Sequence, residues 1–366
     1  MPGGRPGDGH PVFVNNVPGG LKFLRPILLS FRKETEQLVL DVSNYHEHEI
    51  RELVPFTFIV CEKTITVTYH VIPSMRDGKE LRILTQNILR EQHGLHDFLK
   101  NWPIPKSVKL DNNTCLICLQ RPETYRSYKS FHFKPVMFEF IKKYGFCVMH
   151  KKIGGMSFIW KAAEKGELKR SGGTLKDIRH NWQKMFQQAT GVCFWEPDPV
   201  NRGNSNNGPA AMRFFNNPSL ASKILKIPGE TIAIIGVLID MINSTKFQDP
   251  NVFLALSMTA HHLLVRDIGP DIILSGSIHS LMCHGDMYIR YAQDILGIPL
   301  GFLTENAIEM GNKQNKQFKR LFSRKNSIVN ETEDIFQRRL LVTDPILCID
   351  EEQRQTVRRG KIRRKK

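Results

Sequence analysis

The apolar positions of this chain follow two periods. Residues 64–72 alternate Ile65, Val67, Tyr69 and Val71 against Thr64, Thr66, Thr68 and His70, which predicts a half-buried strand. Residues 56–60 predict a partner strand. FLRPILLSF, residues 23–31, predicts a further short strand with Pro26 at an edge or bulge. Elsewhere the spacing is helical, at 33–53, 79–100 and most of 131–188, with breaks expected at Gly154-Gly155 and Gly172-Gly173. NRGNSNNGP at 201–209 reads as a turn-rich loop. Helices follow at 219–226, 229–243 and 249–266, the last with Asp249 as N-cap and Pro250 at the first helical position. Residues 272–295, 303–325 and 332–341 complete the helical series.

The 303–325 stretch, LTENAIEMGNKQNKQFKRLFSRK, carries the most informative pattern. At about 100° per residue, Glu309, Lys313, Lys316 and Arg320 fall within roughly 40° of one another. Phe318, Leu321 and Phe322 lie on the other side, predicting a helix that sits on a core with its polar face outward. Six Lys and Arg, Arg324 among them, lie between 313 and 325 with no acid. That track suits a phosphate backbone, and an acid at its head suits a divalent metal. Taken alone, the pattern fits better a solvated face with i,i+4 pairs such as Glu309 with Lys313.

Charge extends this reading to the whole chain. The formal net charge is +16 over 366 residues, and the last thirteen residues supply eight basic groups and no acid. The remaining 44 basic and 36 acidic residues still leave the body basic, so a polyanionic partner is expected. The tail RRGKIRRKK fits a nuclear import signal or additional nonspecific DNA affinity, and a nuclear location is expected. The first twenty residues hold six Gly and four Pro and read as a flexible lead without a signal peptide. The longest apolar run, 232–239, is far shorter than the ~20 residues of a membrane helix.

Seven cysteines at irregular spacing do not form a secreted disulfide pattern. Cys115 and Cys118 form a Cys-x-x-Cys in which one zinc ion can take both thiolates, given two further ligands. Cys147 and His150 in CVMH are one candidate pair, and His279 and His284 in HSLMCH the other. Spacing alone favours the nearer pair, because the shorter loop is easier to close. Asp77 precedes Gly78 at the end of a predicted strand, where Asp-Gly most often simply turns the chain.

Several of these segments, in order, resemble one family. ENAIEMGNKQNKQFKRLFSRKNS and ETEDIFQRRLLVTDPIL resemble the C-terminal catalytic segment and next helix of the V(D)J recombinase catalytic subunit and its Transib-class, transposon-derived relatives. GNSNNGPAAMRFFNNP resembles a loop and helix start in those relatives. HSLMCH and TCLIC fit their His-x4-His and Cys-x-x-Cys, and FLRPILLSFRKETEQL, RELVPFTF and VIPSMRDGK resemble the approach to their second catalytic aspartate. The resemblance spans residues 21–346.

It implies an α+β fold: an RNase H-like core interrupted by a large helical zinc-binding insertion. The expected layout is a lead at 1–20, a strand-rich part of the core at 21–110, the insertion at 111–300, C-terminal helices at 301–350 and a basic tail. By resemblance Asp77 and Glu309 are the catalytic acids, binding Mg²⁺ or Mn²⁺. Lys313, Lys316, Arg320 and Arg324 face DNA, and Cys115, Cys118, His279 and His284 hold a structural zinc, reversing the preference from spacing. Relatives act as dimers, so a homodimer is implied. The family's first catalytic aspartate has no counterpart in the matching segments, so the expectation is a truncated or domesticated relative with an incomplete acid set, or a non-catalytic DNA-binding or assembly protein.

Overall fold

A computed structural model describes residues 35–60, 62–67, 82–87, 114–120, 135, 137–142, 147–191, 194, 208–270, 272–303 and 306–343. The expected strand at 23–31, the end of the second strand and Asp77 lie outside them. The described residues are mostly helical, with one two-stranded antiparallel sheet. After α1 (Glu36–Arg51), β1 (Phe56–Val60) pairs with β2 (Lys63–Val67) in the register Phe56 to Val67 and Val60 to Lys63. The helices of eight residues or more that follow are α2 (Val148–Ser171), α3 (Leu175–Thr190), α4 (Gly208–Phe215), α5 (Pro218–Leu225), α6 (Gly229–Asn243), α7 (Pro250–Ile268) and α8 (Gly276–Arg290). The chain divides into two units, 36–303 and a second made of 1–35 with 304–366, to which α9 (Asn306–Leu321) and α10 (Ile328–Val342) belong.

Local chemistry sets most helix ends. Asp249 accepts from the N–H groups of Asn251 (2.7 Å) and Val252 (3.3 Å) ahead of Pro250, as expected of an N-cap. Thr174 caps α3 by accepting from Asp177 N–H, and Gly172 ends α2 in the left-handed region at φ 64°. Helix α6 is apolar on most sides and correspondingly buried, through Ile232, Ile235, Leu238, Ile239 and Ile242. It packs with α2, α5, α7 and α8. Beside it, Trp160, Trp182, Phe186, Phe194 and Phe214 form an aromatic cluster, with Trp160 edge-on to Trp182 at 5.5 Å.

One expected break is absent. Helix α2 runs through Gly154-Gly155 without interruption, because these glycines serve an interhelical crossing rather than a turn. A Cβ on Gly154 would lie 2.7 Å from Ser277 Cβ, so only glycine lets α2 and α8 approach this closely. The loop expected at 201–209 also yields earlier: Gly208 and Pro209 already belong to α4, whose Ala210, Ala211, Phe214 and Phe215 are buried. Helix α8 ends at Arg290, and the chain continues in a wider turn, Tyr291–Ile295, closed by Leu296 N–H on Tyr291 O.

Helices α2 and α3 are joined by a polar clasp. Glu164, buried in α2, accepts from Trp160 Nε1 (2.8 Å) and takes both arms of the Arg179 guanidinium at 2.6 and 2.9 Å. Its hydrogen bonds hold Arg179 above its ordinary pKa.

Glu164→Ala, which strands Trp160 and Arg179, is expected to cost about 2 kcal/mol, measured as a lower urea midpoint. Gly154→Val is expected to cost about 1–3 kcal/mol by overpacking the α2–α8 crossing, and Ser277→Gly in the same chain to restore part of it.

Candidate metal centre

Two local structures supply the donors. The first is a tight turn at 115–120, in which Leu119 N–H reaches Cys115 O (2.8 Å) and Cys115 N–H reaches Gln120 O (3.0 Å). Leu119 sits in the left-handed region at φ 57°, uncommon for a branched side chain and a sign that its surroundings hold it there. Ile117 O accepts from Met137 N–H, and Ile117 is buried, so the turn is tied down on both sides of Cys118. The second is α8, started by Ser275, whose hydroxyl accepts from Ile278 N–H while its carbonyl takes His279 N–H.

Helix α8 is enclosed on nearly every side, from Ile278 through Gly285 without a break, and this fixes its rotation. At Gly285 a Cβ would meet the Phe253 ring at 2.7 Å, so α7 presses on α8 directly beside His284.

Together these elements bring Cys115, Cys118, His279 and His284 into one group, with one donor atom from each within 4.8 Å of the others. All four are buried. Cys118 Sγ lies 3.3 Å from His279 Nε2, and the two imidazoles meet at 5.1 Å and 84°. Four thiolate and imidazole donors around tetrahedral zinc stand about 3.3–3.8 Å apart, as metal–ligand bonds of about 2.0–2.3 Å require. The observed group is slightly looser than that and of the right donor type.

Its electrostatics also call for a cation. Burial pushes the Cys115 thiol up, but its hydrogen bond with Cys118, the charge of His284 and hydrogen bonds with both imidazoles hold it well below the ordinary thiol value. Cys118 is pushed up by its hydrogen bond with Cys115, by burial and by the charge on Cys115. Without a metal the two sulfurs are therefore driven in opposite directions, Cys115 towards thiolate and Cys118 towards thiol. Burial lowers His279 and so keeps it neutral, as a ligand must be. His284 Nε2 is buried and makes no hydrogen bond among the described residues. A dication would favour ionisation of the second thiol beside the first. The residues present fit a four-ligand metal ion.

The other candidate pair lies apart from this group. Cys147 Sγ and His150 Nδ1 hydrogen-bond to each other at 2.7 Å where α2 begins. Sequence spacing preferred them because closing a short loop costs less entropy. That cost is met here by the core that holds α8 against the 115–120 turn. Two neighbours escaped the sequence reading. Lys151 donates to Ser280 beside His279, and the buried Tyr288 is pushed up by burial and then by the charge on Cys115. Tyr288 lies one helical turn from His284 and could be found from that spacing, whereas Lys151 is far from every ligand in the chain and is brought in only through Ser280, the residue after His279.

The cationic helix divides. Lys313, Lys316 and Arg320 are exposed along α9, on which Glu309 also lies. Arg324 is engaged instead: its side chain and backbone N–H bind Asp334, and its guanidinium reaches Glu333 at 3.1 Å. These bonds tie the α9–α10 connection and hold Asp334 low. Of the three residues expected on the buried face, only Phe318 is buried. Leu321 and Phe322 are about half exposed because they fall at and beyond the end of α9, and Phe322 lies under the Arg338 guanidinium at 4.3 Å.

No model of a known protein family matches this chain, and no curated protein matches it either.

Removing the metal with a chelator is expected to lower the melting temperature by several degrees, and Cys118→Ser or His284→Ala to abolish the chelator effect. Because the ligands bind deprotonated, the gap between metal-loaded and chelated protein should narrow as pH falls from 7 to 5, read by thermal melts at each pH.

Proposed function

We propose that this chain is a DNA-binding protein of transposon-derived, V(D)J recombinase-like descent, with a structural zinc holding a helical insertion on an RNase H-like core. The observation that carries the reading is the composition of the four-residue group. Spacing selects Cys147 and His150, whereas the ordered resemblance selects His279 and His284, some 161 residues beyond Cys118, and these are the residues that stand together. Two thiolates and two imidazoles make a closed N/S shell that leaves no position for water, so the metal serves the fold and not a reaction. Lys313, Lys316 and Arg320, exposed on α9, suit contact with DNA phosphates. In this reading the protein acts on DNA in the nucleus as a homodimer, and strand cleavage, if the incomplete acid set still supports it, uses Asp77 and Glu309 to bind Mg²⁺ or Mn²⁺.

The purified protein is expected to contain one equivalent of zinc by elemental analysis. Cobalt in its place should give the visible spectrum of tetrahedral thiolate coordination. Duplex DNA binding should weaken steeply with salt, and the triple variant Lys313→Gln, Lys316→Gln, Arg320→Gln should flatten that dependence by about 2.7 in log K against log salt. Nicking of supercoiled DNA that requires Mg²⁺ or Mn²⁺ and disappears in both Asp77→Asn and Glu309→Gln assigns catalysis to those acids. Nicking unchanged in both removes it, and salt-sensitive binding without nicking leaves a DNA-binding protein without turnover.

A further inference from the structure

Residues 148–190, which hold α2 and α3, contain nine Lys and Arg against three acids. Each acid is already committed within the hairpin. Glu164 holds Arg179 and Trp160, Glu167 holds Arg170 at 2.8 Å, and Asp177 takes the hydroxyl of Thr174 at 2.6 Å. The cations left over are ordered. Lys161, Lys165 and Lys169 repeat every four residues along α2, on the side roughly opposite the buried Met156, Ile159 and Ala163. Lys176 and Lys184 stand two turns apart on one side of α3, with His180 between them, roughly opposite the buried Ile178, Trp182 and Phe186. All six are exposed, and none makes an ion pair among the described residues.

A solvated helix face ordinarily alternates sign, since opposite charges four residues apart stabilise it and like charges there oppose it by about 0.2–0.5 kcal/mol per pair. The Lys161–Lys165 and Lys165–Lys169 pairs run against that preference. A polyanion laid along them would offset the repulsion. The two helices are antiparallel, joined by only Gly172, Gly173 and Thr174 and locked by the Glu164–Arg179 clasp and the Trp160–Trp182 contact. Packed helices stand about 8–10 Å apart, and each stripe runs about 12 Å, the axial length of three or four phosphates on one strand. Lysines are point charges without the fork geometry that reads a base or a carboxylate pair, which fits contact with phosphates regardless of sequence.

We propose that the outer face of the α2–α3 hairpin is a second DNA-binding surface, which holds the phosphates of duplex DNA without reading sequence. It rests on the DNA-binding reading above but uses residues other than those of α9. Binding of the full-length, metal-loaded protein to a random-sequence 20-bp duplex would be measured from 50 to 200 mM salt. Two variants are compared: Lys161→Gln, Lys165→Gln, Lys184→Gln, and the α9 triple described above. The hairpin triple is expected to flatten the slope of log K against log salt by about 2.7 with its melting temperature unchanged. A flattened slope in the α9 triple alone overturns this proposal and leaves the function standing. Unchanged slopes in both overturn both. Loss of binding to poly-glutamate by the hairpin triple, with duplex binding intact, overturns it in favour of an acidic protein partner.

Discussion

The arrangement depends on a helix that cannot rotate. Helix α8 is buried on nearly its whole circumference by α2, α6 and α7, and its two histidines are five residues apart, which on a helix is about 140° of turn. Two imidazoles so far apart in azimuth converge on one point only if the partner turn sits over the gap between them and neither element slips. Gly154 against Ser277 and Gly285 against Phe253 enforce this, since any side chain at either glycine would push a neighbouring helix away. The same close crossings explain why small residues recur where α8 is packed most tightly.

The thiol pair shows what that rigidity costs. Two sulfurs and two imidazoles held together in a dry interior cannot all take their preferred protonation states, and the opposite shifts of Cys115 and Cys118 express the conflict. A divalent ion held by all four groups would relieve it, and binding of such an ion would then be linked to folding of the site in one equilibrium. Because Cys115 and Cys118 lie far from α8 in the chain, such an ion closes a long loop and ties its ends across the core of the larger unit.

Charge is distributed by a different rule. Within the helical pairs, acids are consumed internally: Glu164 and Glu167 between or along α2 and α3, Glu333 and Asp334 on the α9–α10 connection. Cations that find no such partner are left in stripes on outer faces. Among the described residues of these helices, several unpaired cations therefore reach solvent in rows, which is the form in which they can meet a polyanion.

Local pattern carried a good deal of this. The period-two run and its neighbour gave β1 and β2, and the apolar runs with their caps gave α6 to its ends and α7 with Asp249 in place. Exposure of Lys313, Lys316 and Arg320 followed from helical period alone. What local pattern misread were positions whose meaning lies across the chain. Gly154-Gly155 looks like a break until Ser277 is beside it, Arg324 looks like a free cation until Asp334 turns toward it, and Cys147 with His150 looks like the nearer ligand pair until α8 is folded against the 115–120 turn. Periodicity and capping depend on residues within a few positions of one another, so the sequence determines them unaided. Helix crossings, ion pairs and the choice of metal ligands depend on which distant surfaces the core brings into contact, and that only packing decides.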